Sequence, residues 1–376
     1  MTPATLCPDD DTVRPTHVVV DLAQLAANLT AVRQHVGKTK VMAIVKANAY
    51  GHGLVRVATH LMAAGADYLG VALYEEGILL RQAGITAPIL VMGGIAGEQI
   101  PLFLKHDLTI TTSSVDKLHL IDQAAAAMGV TARVHLKIDT GMERIGIHHY
   151  NADRLLEASL HCQQINVEGI YSHFANADSA DLGHARLQLE RFLDVCAFYE
   201  KRGLPMPMRH IANSAAILQL PESHLDLVRP GIMLYGYYPS ADCVRSVVVK
   251  PALTWKSRVV YFKVVQPSTP VSYGSTWQSD HAVRIVTVPV GYGDGYFRIL
   301  SNKAEVIIRG QRHPVVGRVC MDQLMVNLEW GTAYNGDEVI LLGDSLSADE
   351  LAAWAGTISY EILTNINSRV PRLYLV

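Results

Sequence analysis

A lysine at the end of an apolar run is the first candidate for chemistry. Lys46 is the only Lys, Arg, Asp or Glu between Val41 and Gly53, a stretch that begins with apolar residues and ends in glycine. This pattern predicts a buried strand that runs into a loop. An ammonium group at such a position loses hydration, which lowers its pKa and makes the amine more nucleophilic. Lys46 could therefore form a Schiff base, although a lysine with a buried stem and a solvated head would show the same local pattern.

Further side chains of catalytic type are spread widely along the chain, so only a particular fold could bring them together. Each has a structural explanation when taken alone. His173 could be a buried core histidine, and Ser214 could cap a helix. The set comprises Lys137, Asp139, Arg144, His173, Asn213, Ser214 and Arg229.

Eight apolar, strand-like runs would position these side chains. Helix-like segments at 54–64, 75–83, 115–128 and 184–202 separate several of the runs. Alternation of strands and helices predicts parallel pairing, and eight such units predict an α/β fold of the (β/α)8 TIM barrel type. An open sheet of six to eight strands is the alternative, because the last connection, near residues 215–220, is short for a helix. The runs cover 41–47, 68–73, 88–93, 108–112, 133–139, 165–174, 208–212 and 225–229.

The pattern changes after about residue 249. Short alternating strands separated by Gly, Pro, Asn and Asp follow, with one helical stretch at 348–355. This texture predicts a C-terminal, mostly-β domain. The predicted organisation is a loose lead-in over 1–16, a barrel over 17–249 and the β domain over 250–376.

In a (β/α)8 barrel the active site lies at the carboxyl ends of the strands, and loops after strands 7 and 8 commonly bind phosphate. The candidate side chains fall at or near such ends. Ser214, with the backbone amides near Gly231 and Ile232, would form an anion site. A lysine able to form an imine beside a phosphate site indicates pyridoxal 5'-phosphate as the cofactor. Arg229 is then the candidate partner of the pyridine nitrogen.

Composition indicates a small partner and a reducing compartment. Of the 376 residues, 49% are hydrophobic and 18% are charged, and the formal net charge is -3, which gives no reason to expect nucleic acid or an anionic membrane as a partner. No signal peptide is recognisable, and no stretch reaches the roughly 18 apolar residues of a membrane span. The five cysteines are scattered without the spacing of a metal site or a disulfide framework. We therefore expect a cytoplasmic protein without a bound metal.

The chain resembles the alanine racemase family, whose members are fold-type III pyridoxal phosphate enzymes, from His17 almost to the C-terminus. In the first part the matching motifs are Ala43–Gly53, Lys137–Arg144, Tyr171–Ala175, His210–Ala215 and Val228–Gly236. In the second part they are Val271–Thr276, Gly291–Tyr296, Val319–Gln323, Ser359–Ile362 and Arg369–Arg372. The motifs stand in the order and spacing of the family, so the resemblance implies its fold and its reaction. A departure is Glu143, which stands beside Arg144 where the family usually has a small or neutral residue.

The resemblance implies a homodimer in which the partner's β domain completes each active site. Lys46 would hold the cofactor, and Tyr273 would be the second base on the opposite face of the substrate. A phenol has a reference pKa of about 10, so Tyr273 needs help to act as a base. By the family pattern His173, linked to Arg229, supplies it. Arg229 would also limit delocalisation of charge into the pyridine ring.

The family motifs assign further roles. Arg144 and the backbone at Met321 would bind the substrate carboxylate. Lys137 would brace Arg144, and it matches a lysine that is often carbamylated in the family; a simple ion pair or a bound anion is the alternative. The expected cofactor-binding residues are Lys46, Tyr50, Asn213, Ser214, Arg229, Gly231, Ile232 and Tyr360. The expected entrance gate consists of Tyr292, Asp322 and Tyr360.

The resemblance thus implies interconversion of L-alanine and D-alanine, which would supply D-alanine for peptidoglycan. Racemases of serine or of longer amino acids share many of these motifs, so specificity rests on the narrow entrance. Decarboxylases of basic amino acids share the fold, but an acidic partner for the pyridine nitrogen would be expected there instead of Arg229. A cofactor-binding regulator would be expected to consist of the barrel alone. An imine-forming aldolase without a cofactor is the remaining alternative.

Overall fold

The computed structural model describes residues 14–376, and the chain divides into two units. One unit contains Leu25–Ala49 and Leu54–Lys250 and is called the barrel unit below. The other contains, among the described residues, 14–24, Tyr50–Gly53 and Pro251–Val376 and is called the β unit. Most of the predicted N-terminal lead-in lies outside the described residues.

The barrel unit and the β unit both contain helices and strands. The strands are β1 (His17–Asp21), β2 (Lys40–Ile44), β3 (Tyr68–Val71), β4 (Ile89–Val91), β5 (Thr109–Thr112), β6 (Ala132–Asp139), β7 (Ile147–His148), β8 (Ile165–Tyr171), β9 (Met208–His210), β10 (Leu227–Val228), β11 (Leu253–Arg258), β12 (Tyr261–Val265), β13 (Val283–Val288), β14 (Glu305–Ile308), β15 (Gln311–Val316), β16 (Leu324–Asn327), β17 (Glu338–Leu342) and β18 (Arg372–Leu375). The right-handed α-helices are Leu22–Val36, Leu54–Ala63, Tyr74–Gln82, Ile100–Lys105, Val115–Met128, Ala152–His161, Gly183–Lys201, Ser214–Gln219, Ala348–Ala355 and Ser359–Thr364.

Eight parallel strands form the sheet of the barrel unit. Their order is β10, β2, β3, β4, β5, β6, β8 and β9. The two ends of this order are joined by backbone bonds, in which the Asp226 amide donates to the Arg209 carbonyl oxygen over 3.2 Å and the Arg229 amide donates to the Ala212 carbonyl oxygen over 2.9 Å. The predicted (β/α)8 barrel is therefore confirmed, and the alternative of an open sheet is wrong.

Burial explains why these runs were recognisable as strands. Every residue of β3, β4 and β5 is buried, as expected for parallel strands with both faces covered. The short last connection is a helix of only six residues, Ser214–Gln219. Its N-terminus is capped by Asn213, whose Oδ1 accepts from the Ala216 amide over 3.1 Å.

The predicted mostly-β domain is confirmed, and the structure shows that the strands of its sheet pair mostly antiparallel. Its strand order is β12, β13, β16, β15, β14, β17, β11, β1 and β18. β1 pairs antiparallel with β11 and parallel with β18, so the structure places His17–Asp21 in this sheet, although the sequence analysis counted it with the barrel domain. Pairing between strands so far apart in the chain leaves no local sequence pattern. The helix predicted at 348–355 begins with a capping box formed by Ser347 and Glu350.

None of the helices in residues 14–376 has the length and apolar character needed to cross a membrane. The same residues contain no cluster of three or more His, Cys, Asp or Glu side chains arranged for a metal ion.

Candidate active site

Lys46 lies two residues after the end of β2 and begins a single turn of left-handed helix. Four consecutive residues that are not glycine, Ala47 to Tyr50, have φ between 51° and 55°. This conformation costs an L-amino acid roughly 1–2 kcal/mol per residue, so other contacts must hold the turn. Two such contacts are the bond from the Ala49 amide to the Val45 carbonyl oxygen, at 2.8 Å, and the bond from the Leu54 amide to Asn48 Oδ1, also at 2.8 Å.

The surroundings of Lys46 favour a neutral amine. Burial is the main cause that lowers the pKa of Lys46, and the positive charge of Arg144 lowers it further. The carboxylate of Glu76 acts in the opposite direction and raises it. The net pKa is lowered, as the sequence predicted, and a larger fraction of the amine is therefore nucleophilic near neutral pH.

Arg229 is buried directly after β10 and is bound by neutral groups. Its Nη2 donates to the carbonyl oxygens of Ser172, at 2.8 Å, and Ile211, at 3.1 Å. Its Nη1 donates to His210 Nδ1 over 2.8 Å. Among the residues that the structure describes, no carboxylate forms an ion pair with this guanidinium. Burial lowers the pKa of Arg229 to about 10, so the group remains cationic at neutral pH.

Two buried imidazoles extend this contact across the barrel. His210 Nε2 lies 2.8 Å from His135 Nδ1, and His135 Nε2 lies 3.5 Å from Glu168 Oε2. Glu168 also accepts from the Tyr68 hydroxyl over 3.0 Å. Burial lowers the pKa of His135 and holds that of His210 well below the usual value. Both rings are therefore neutral.

The series of contacts from Arg229 through His210 and His135 to Glu168 allows one consistent placement of the imidazole hydrogens. Arginine can only donate, so His210 Nδ1 accepts from Arg229 and the neutral His210 ring carries its hydrogen on Nε2. That hydrogen points to His135 Nδ1, which leaves the His135 hydrogen on Nε2, facing Glu168. The sequence analysis gave no role to His135, His210 or Glu168. The alternation of His135 with Lys137 along β6 places both on one face of the strand, and this signal could have found His135.

His173 lies next to Arg229 at the end of β8. Its Nδ1 accepts from Arg229 Nη2 over 3.1 Å, so the neutral ring carries its hydrogen on Nε2. Burial, followed by the charges of Arg229 and Lys137, holds the pKa of His173 well below its usual value. The predicted link between His173 and Arg229 is confirmed.

Lys137 is almost completely buried inside the barrel. Its Nζ donates to the Ile138 carbonyl oxygen over 2.9 Å and lies 5.2 Å from the centre of the Tyr171 ring. Burial and the charge of Arg229 lower the pKa of Lys137 to about 7, although Asp139 opposes the shift. Near neutral pH a much larger fraction of this amine is therefore unprotonated than of an exposed lysine.

The loop that carries Arg144 is held by the predicted residue Asp139. Asp139 Oδ1 accepts from the amides of Gly141 and Met142, and Oδ2 accepts from the amide of Arg144 over 3.2 Å. The positive charge of Arg144 reaches the interior, where it lowers the pKa of Lys46 and of Lys137. Glu143 has an exposed side chain, and its Oε1 lies 3.7 Å from His148 Nδ1.

The predicted anion site joins the loops after β9 and β10. The Gly231 amide donates to Ser214 Oγ over 2.8 Å. Ser214 begins a helix whose cap is Asn213, and Ile232 begins the 3₁₀ turn Ile232–Tyr235. The first amides of such turns have no acceptor within the turn, so this pair of loops is suited to hold an anion.

The remaining predicted residues lie in the β unit. Tyr273 begins a 3₁₀ turn, and its side chain is 71% exposed. Met321 and Tyr292 are also exposed, at 53% and 42%, and their loops are joined by backbone bonds, such as that from the Tyr292 amide to the Cys320 carbonyl oxygen at 3.0 Å. The rings of Tyr50 and Tyr360 lie 6.1 Å apart, measured between their centres.

Asp322 belongs to a chain of charges in the β unit. Its Oδ1 accepts from Arg369 Nη2 over 2.6 Å, and Arg369 Nε donates to Asp294 Oδ1 over 2.7 Å. Asp294 is completely buried and also accepts from both terminal nitrogens of Arg14. These ion pairs hold Asp322 in place. The sequence analysis predicted Asp322 but not the ion pairs.

Comparisons with known proteins agree on one family. Residues 20–239 match the family model "Alanine racemase, N-terminal domain", and residues 252–374 match "Alanine racemase, C-terminal domain". The chain is 46% identical to the alanine racemase of Carboxydothermus hydrogenoformans, over 96% of this chain and 100% of that protein. It is 43% identical to the alanine racemase of Halothermothrix orenii, over 96% of this chain and 97% of that protein.

Solved structures give the same result. The alanine racemase of Clostridium difficile 630 matches with a TM-score of 0.93 at 37% identity, covering 97% of each chain. The alanine racemase of the D-cycloserine producer Streptomyces lavendulae matches with a TM-score of 0.93 at 38% identity, covering 97% of this chain and 98% of that one. A structure of the Clostridium difficile protein in complex with cycloserine has a TM-score of 0.91 at 36% identity, with 97% and 96% covered.

Proposed function

The chain belongs to the alanine racemase family and is therefore an isomerase, and we propose that it interconverts L-alanine and D-alanine with pyridoxal 5'-phosphate as cofactor. One observation of the site carries this proposal. A lysine with a lowered pKa shares the barrel unit with a buried arginine that contacts a histidine and, among residues 14–376, no carboxylate. This combination suits a racemase, because the arginine limits the electron demand of the cofactor.

The residues of the barrel unit fit pyridoxal phosphate. Lys46 would bind the aldehyde carbon of the cofactor, because the lowered pKa of its amine favours the nucleophilic, neutral form. The paired loops at Ser214 and Gly231, together with the amide of Ile232, would hold the phosphate. When bound, the cofactor supplies an electron sink that makes the α-hydrogen of an attached amino acid acidic.

Arg229 would lie against the pyridine nitrogen. A guanidinium with a pKa of about 10 is a far weaker acid than a carboxylic acid, so it does not fully protonate that nitrogen. With the cofactor bound, Arg229 would in this way favour return of the proton to the α-carbon over transamination.

Lys46 and Tyr273 would act as the two bases. One removes the α-hydrogen from one face of the substrate, and the other delivers a proton to the opposite face; the reverse reaction exchanges their roles. The exposed side chain of Tyr273 suits a homodimer in which each β unit completes the active site of the partner subunit. His173 Nε2–H is the donor that would stabilise the phenolate of that tyrosine.

The remaining residues would bind and select the substrate. Arg144 and the backbone at Met321 would bind the carboxylate, and Lys137 would brace Arg144. Tyr50, Asn213 and Tyr360 would complete the cofactor site. Tyr292, Asp322 and Tyr360 would narrow the entrance, which favours alanine over serine and longer amino acids.

The physiological role that follows is a supply of D-alanine for peptidoglycan in the cytoplasm. The alternative of a basic amino acid decarboxylase is disfavoured, because Arg229 would take the position beside the pyridine nitrogen where such an enzyme would be expected to have an acid. A serine racemase would share the geometry of the barrel unit and differ in the substrate that it accepts.

The test is incorporation of solvent deuterium at the α-carbon by the purified protein with pyridoxal phosphate. L-alanine and D-alanine are supplied separately, and both should acquire deuterium and lose their optical rotation. Exchange of serine or a basic amino acid without exchange of alanine would overturn the proposed specificity. Tight binding of the cofactor without any exchange would favour a binding protein over a racemase.

A further inference from the structure

The carboxylate of Glu76 joins two loops beside Lys46. Its Oε1 accepts from the Ala47 amide over 2.6 Å. Its Oε2 accepts from the amides of Ala72, at 3.0 Å, and Leu73, at 3.3 Å. Ala47 directly follows Lys46 after β2, whereas Ala72 and Leu73 follow the neighbouring strand β3. One side chain therefore ties the ends of two adjacent barrel strands together.

The segment that Glu76 holds is the left-handed turn. Ala47 is its first residue with positive φ, at 53°, and the turn continues through three further residues that are not glycine. Such a turn persists only where its surroundings hold it, because each of these residues would adopt a right-handed or extended conformation at lower free energy. The short bond from the Ala47 amide to Glu76 anchors the turn at the residue next to the lysine.

We propose that Glu76 is a positioning residue for Lys46. The carboxylate of Glu76 holds the left-handed turn against the end of β3 and places a negative charge near the lysine amine. The proposal deepens the function given above, since it rests on Lys46 as the cofactor-binding base. It gives a role to Glu76, which takes no direct part in the proposed reaction.

Helix capping alone does not account for this carboxylate. Glu76 is the third residue of the helix Tyr74–Gln82, where glutamate or glutamine serves equally in a capping box. Only a carboxylate offers two oxygens, one for Ala72 and Leu73 and one for Ala47. A glutamine could keep the bonds to Ala72 and Leu73 with its single oxygen, but its NH₂ group would then meet the Ala47 amide, donor against donor.

The charge of Glu76 also acts on Lys46. Burial and Arg144 lower the pKa of the Lys46 amine, and Glu76 raises it. Removal of this negative charge should therefore lower the pKa of the amine further, because the ammonium form loses a favourable interaction. The neighbouring Glu75 is exposed and has no bond to the turn, so it is a matched control.

The experiment compares wild type, Glu76→Gln, Glu76→Asp and the control Glu75→Gln. In the full-length chain freed of cofactor, the rate at which acetic anhydride labels Lys46 is measured by peptide mass spectrometry over a range of pH. We expect Glu76→Gln to lower the pKa of Lys46 by about half a unit to one unit, and Glu75→Gln to leave it unchanged. Glu76→Asp keeps the charge but shortens the side chain, so the pKa should stay near that of wild type.

Activity separates the two parts of the proposal. Both Glu76 variants should lower kcat for alanine racemisation about tenfold in each direction with little change in KM, because the lysine is displaced in both. An unchanged pKa and an unchanged kcat in Glu76→Gln would overturn the proposal. If wild type does not racemise alanine but the pKa shift is found, the proposed function fails while the positioning role stands. If Glu76→Gln does not fold, Glu76→Asp with a wild-type kcat would be the contradicting result.

Discussion

Arg229 donates from Nη1 to Nδ1 of His210 over 2.8 Å, and this bond fixes the hydrogens of two buried imidazoles. Because a guanidinium cannot accept, His210 must carry its hydrogen on Nε2, and His135 must then accept at Nδ1. The last hydrogen of the chain, on His135 Nε2, faces the carboxylate of Glu168. The cation in the candidate active site is thus connected to an acid across the barrel by two neutral rings.

The first prediction concerns the state of these two rings. We expect ¹⁵N NMR of histidine-labelled protein to show His135 and His210 as neutral rings with hydrogen on Nε2 at neutral pH, since burial lowers the pKa of both. His210, whose pKa is held well below its usual value, should stay neutral in mildly acidic conditions as well. The exposed His119 serves as the comparison in the same spectra. Signals of a doubly protonated His210 near pH 6 would contradict this arrangement.

The second prediction concerns Glu168. Replacement of Glu168 by Gln keeps an acceptor for His135 but removes the charge, so the effect on Arg229 should be modest, about a three- to tenfold fall in kcat for racemisation. Replacement by Leu removes the acceptor and should cause a larger fall. Glu157→Gln, on the surface, is the control. Equal activity of wild type, Glu168→Gln and Glu168→Leu would show that the contacts beyond His210 do not affect catalysis.

Much of the barrel could be predicted from the sequence, because its strands are buried on both faces and appear as continuous apolar runs, such as β4. Lys46 was recognisable for the same reason, as a single charge in such a run. The left-handed turn after Lys46 could not be predicted, because Ala47, Asn48 and Ala49 are not glycines and their conformation depends on tertiary contacts. The anchor itself, Glu76, lies on another strand-to-helix connection, and only the fold brings it to the turn.

Long-range pairing explains the other differences. β1 and β18 lie near opposite ends of the chain and pair in parallel, which no local pattern could show. His135 and Glu168 lie on neighbouring strands β6 and β8, and their approach depends on the register between them. The roles of the site residues were implied by family motifs, whereas the contacts among them required the structure.

The third prediction concerns Tyr273. Replacement by Phe should lower the rate of α-hydrogen exchange for one enantiomer of alanine at least 100-fold, with a much smaller effect on the other, because each base serves one face. Exchange rates of the two enantiomers in deuterated water measure this directly. Tyr261→Phe, at another exposed tyrosine of the β unit, should behave as wild type. Small and equal losses for both enantiomers would remove Tyr273 from the mechanism.

The fourth prediction concerns Arg229. Replacement by Glu would place an acid at the pyridine nitrogen, strengthen the electron sink and raise side transamination relative to racemisation. The readout is the amount of pyruvate formed per racemisation event. Arg209→Gln, on the neighbouring strand β9, should leave this ratio unchanged. A wild-type ratio in a folded Arg229→Glu protein would count against the electronic role of Arg229.

The fifth prediction concerns Lys137. Because the pKa of this buried amine is lowered to about 7 and Arg229 and Arg144 lie near it, an anionic carbamate would relieve the repulsion among three cations. Only the neutral amine reacts with carbon dioxide, so modification should increase as the pH rises through 7. Protein equilibrated with ¹³C-labelled carbon dioxide should show a carbamate signal in NMR that is absent from Lys137→Met. Absence of that signal in wild type would leave an ion pair or a bound anion as the means of bracing Arg144.

The last prediction concerns the stability of the β unit and its gate. Asp294 is buried and accepts from Arg14, Arg369 and the Gly291 amide, and these bonds outweigh its loss of hydration, so its pKa is lowered. A carboxylate with a depressed pKa stabilises the folded state above its unfolded pKa of about 4, and this contribution is lost as the pH falls through the folded value. Replacement of Asp294 by Asn should lower the free energy of unfolding by about 3 kcal/mol at neutral pH, and the difference from wild type should shrink under acidic conditions.

Urea unfolding of wild type, Asp294→Asn and the exposed control Asp344→Asn over a range of pH measures this difference. Since Arg369 joins Asp294 to Asp322, loss of the buried charge also frees the arginine that holds the expected gate carboxylate. Asp294→Asn should therefore accept serine more readily relative to alanine than wild type does. A stability difference that does not change with pH would mean that packing, and not the charge of Asp294, holds this part of the β unit together.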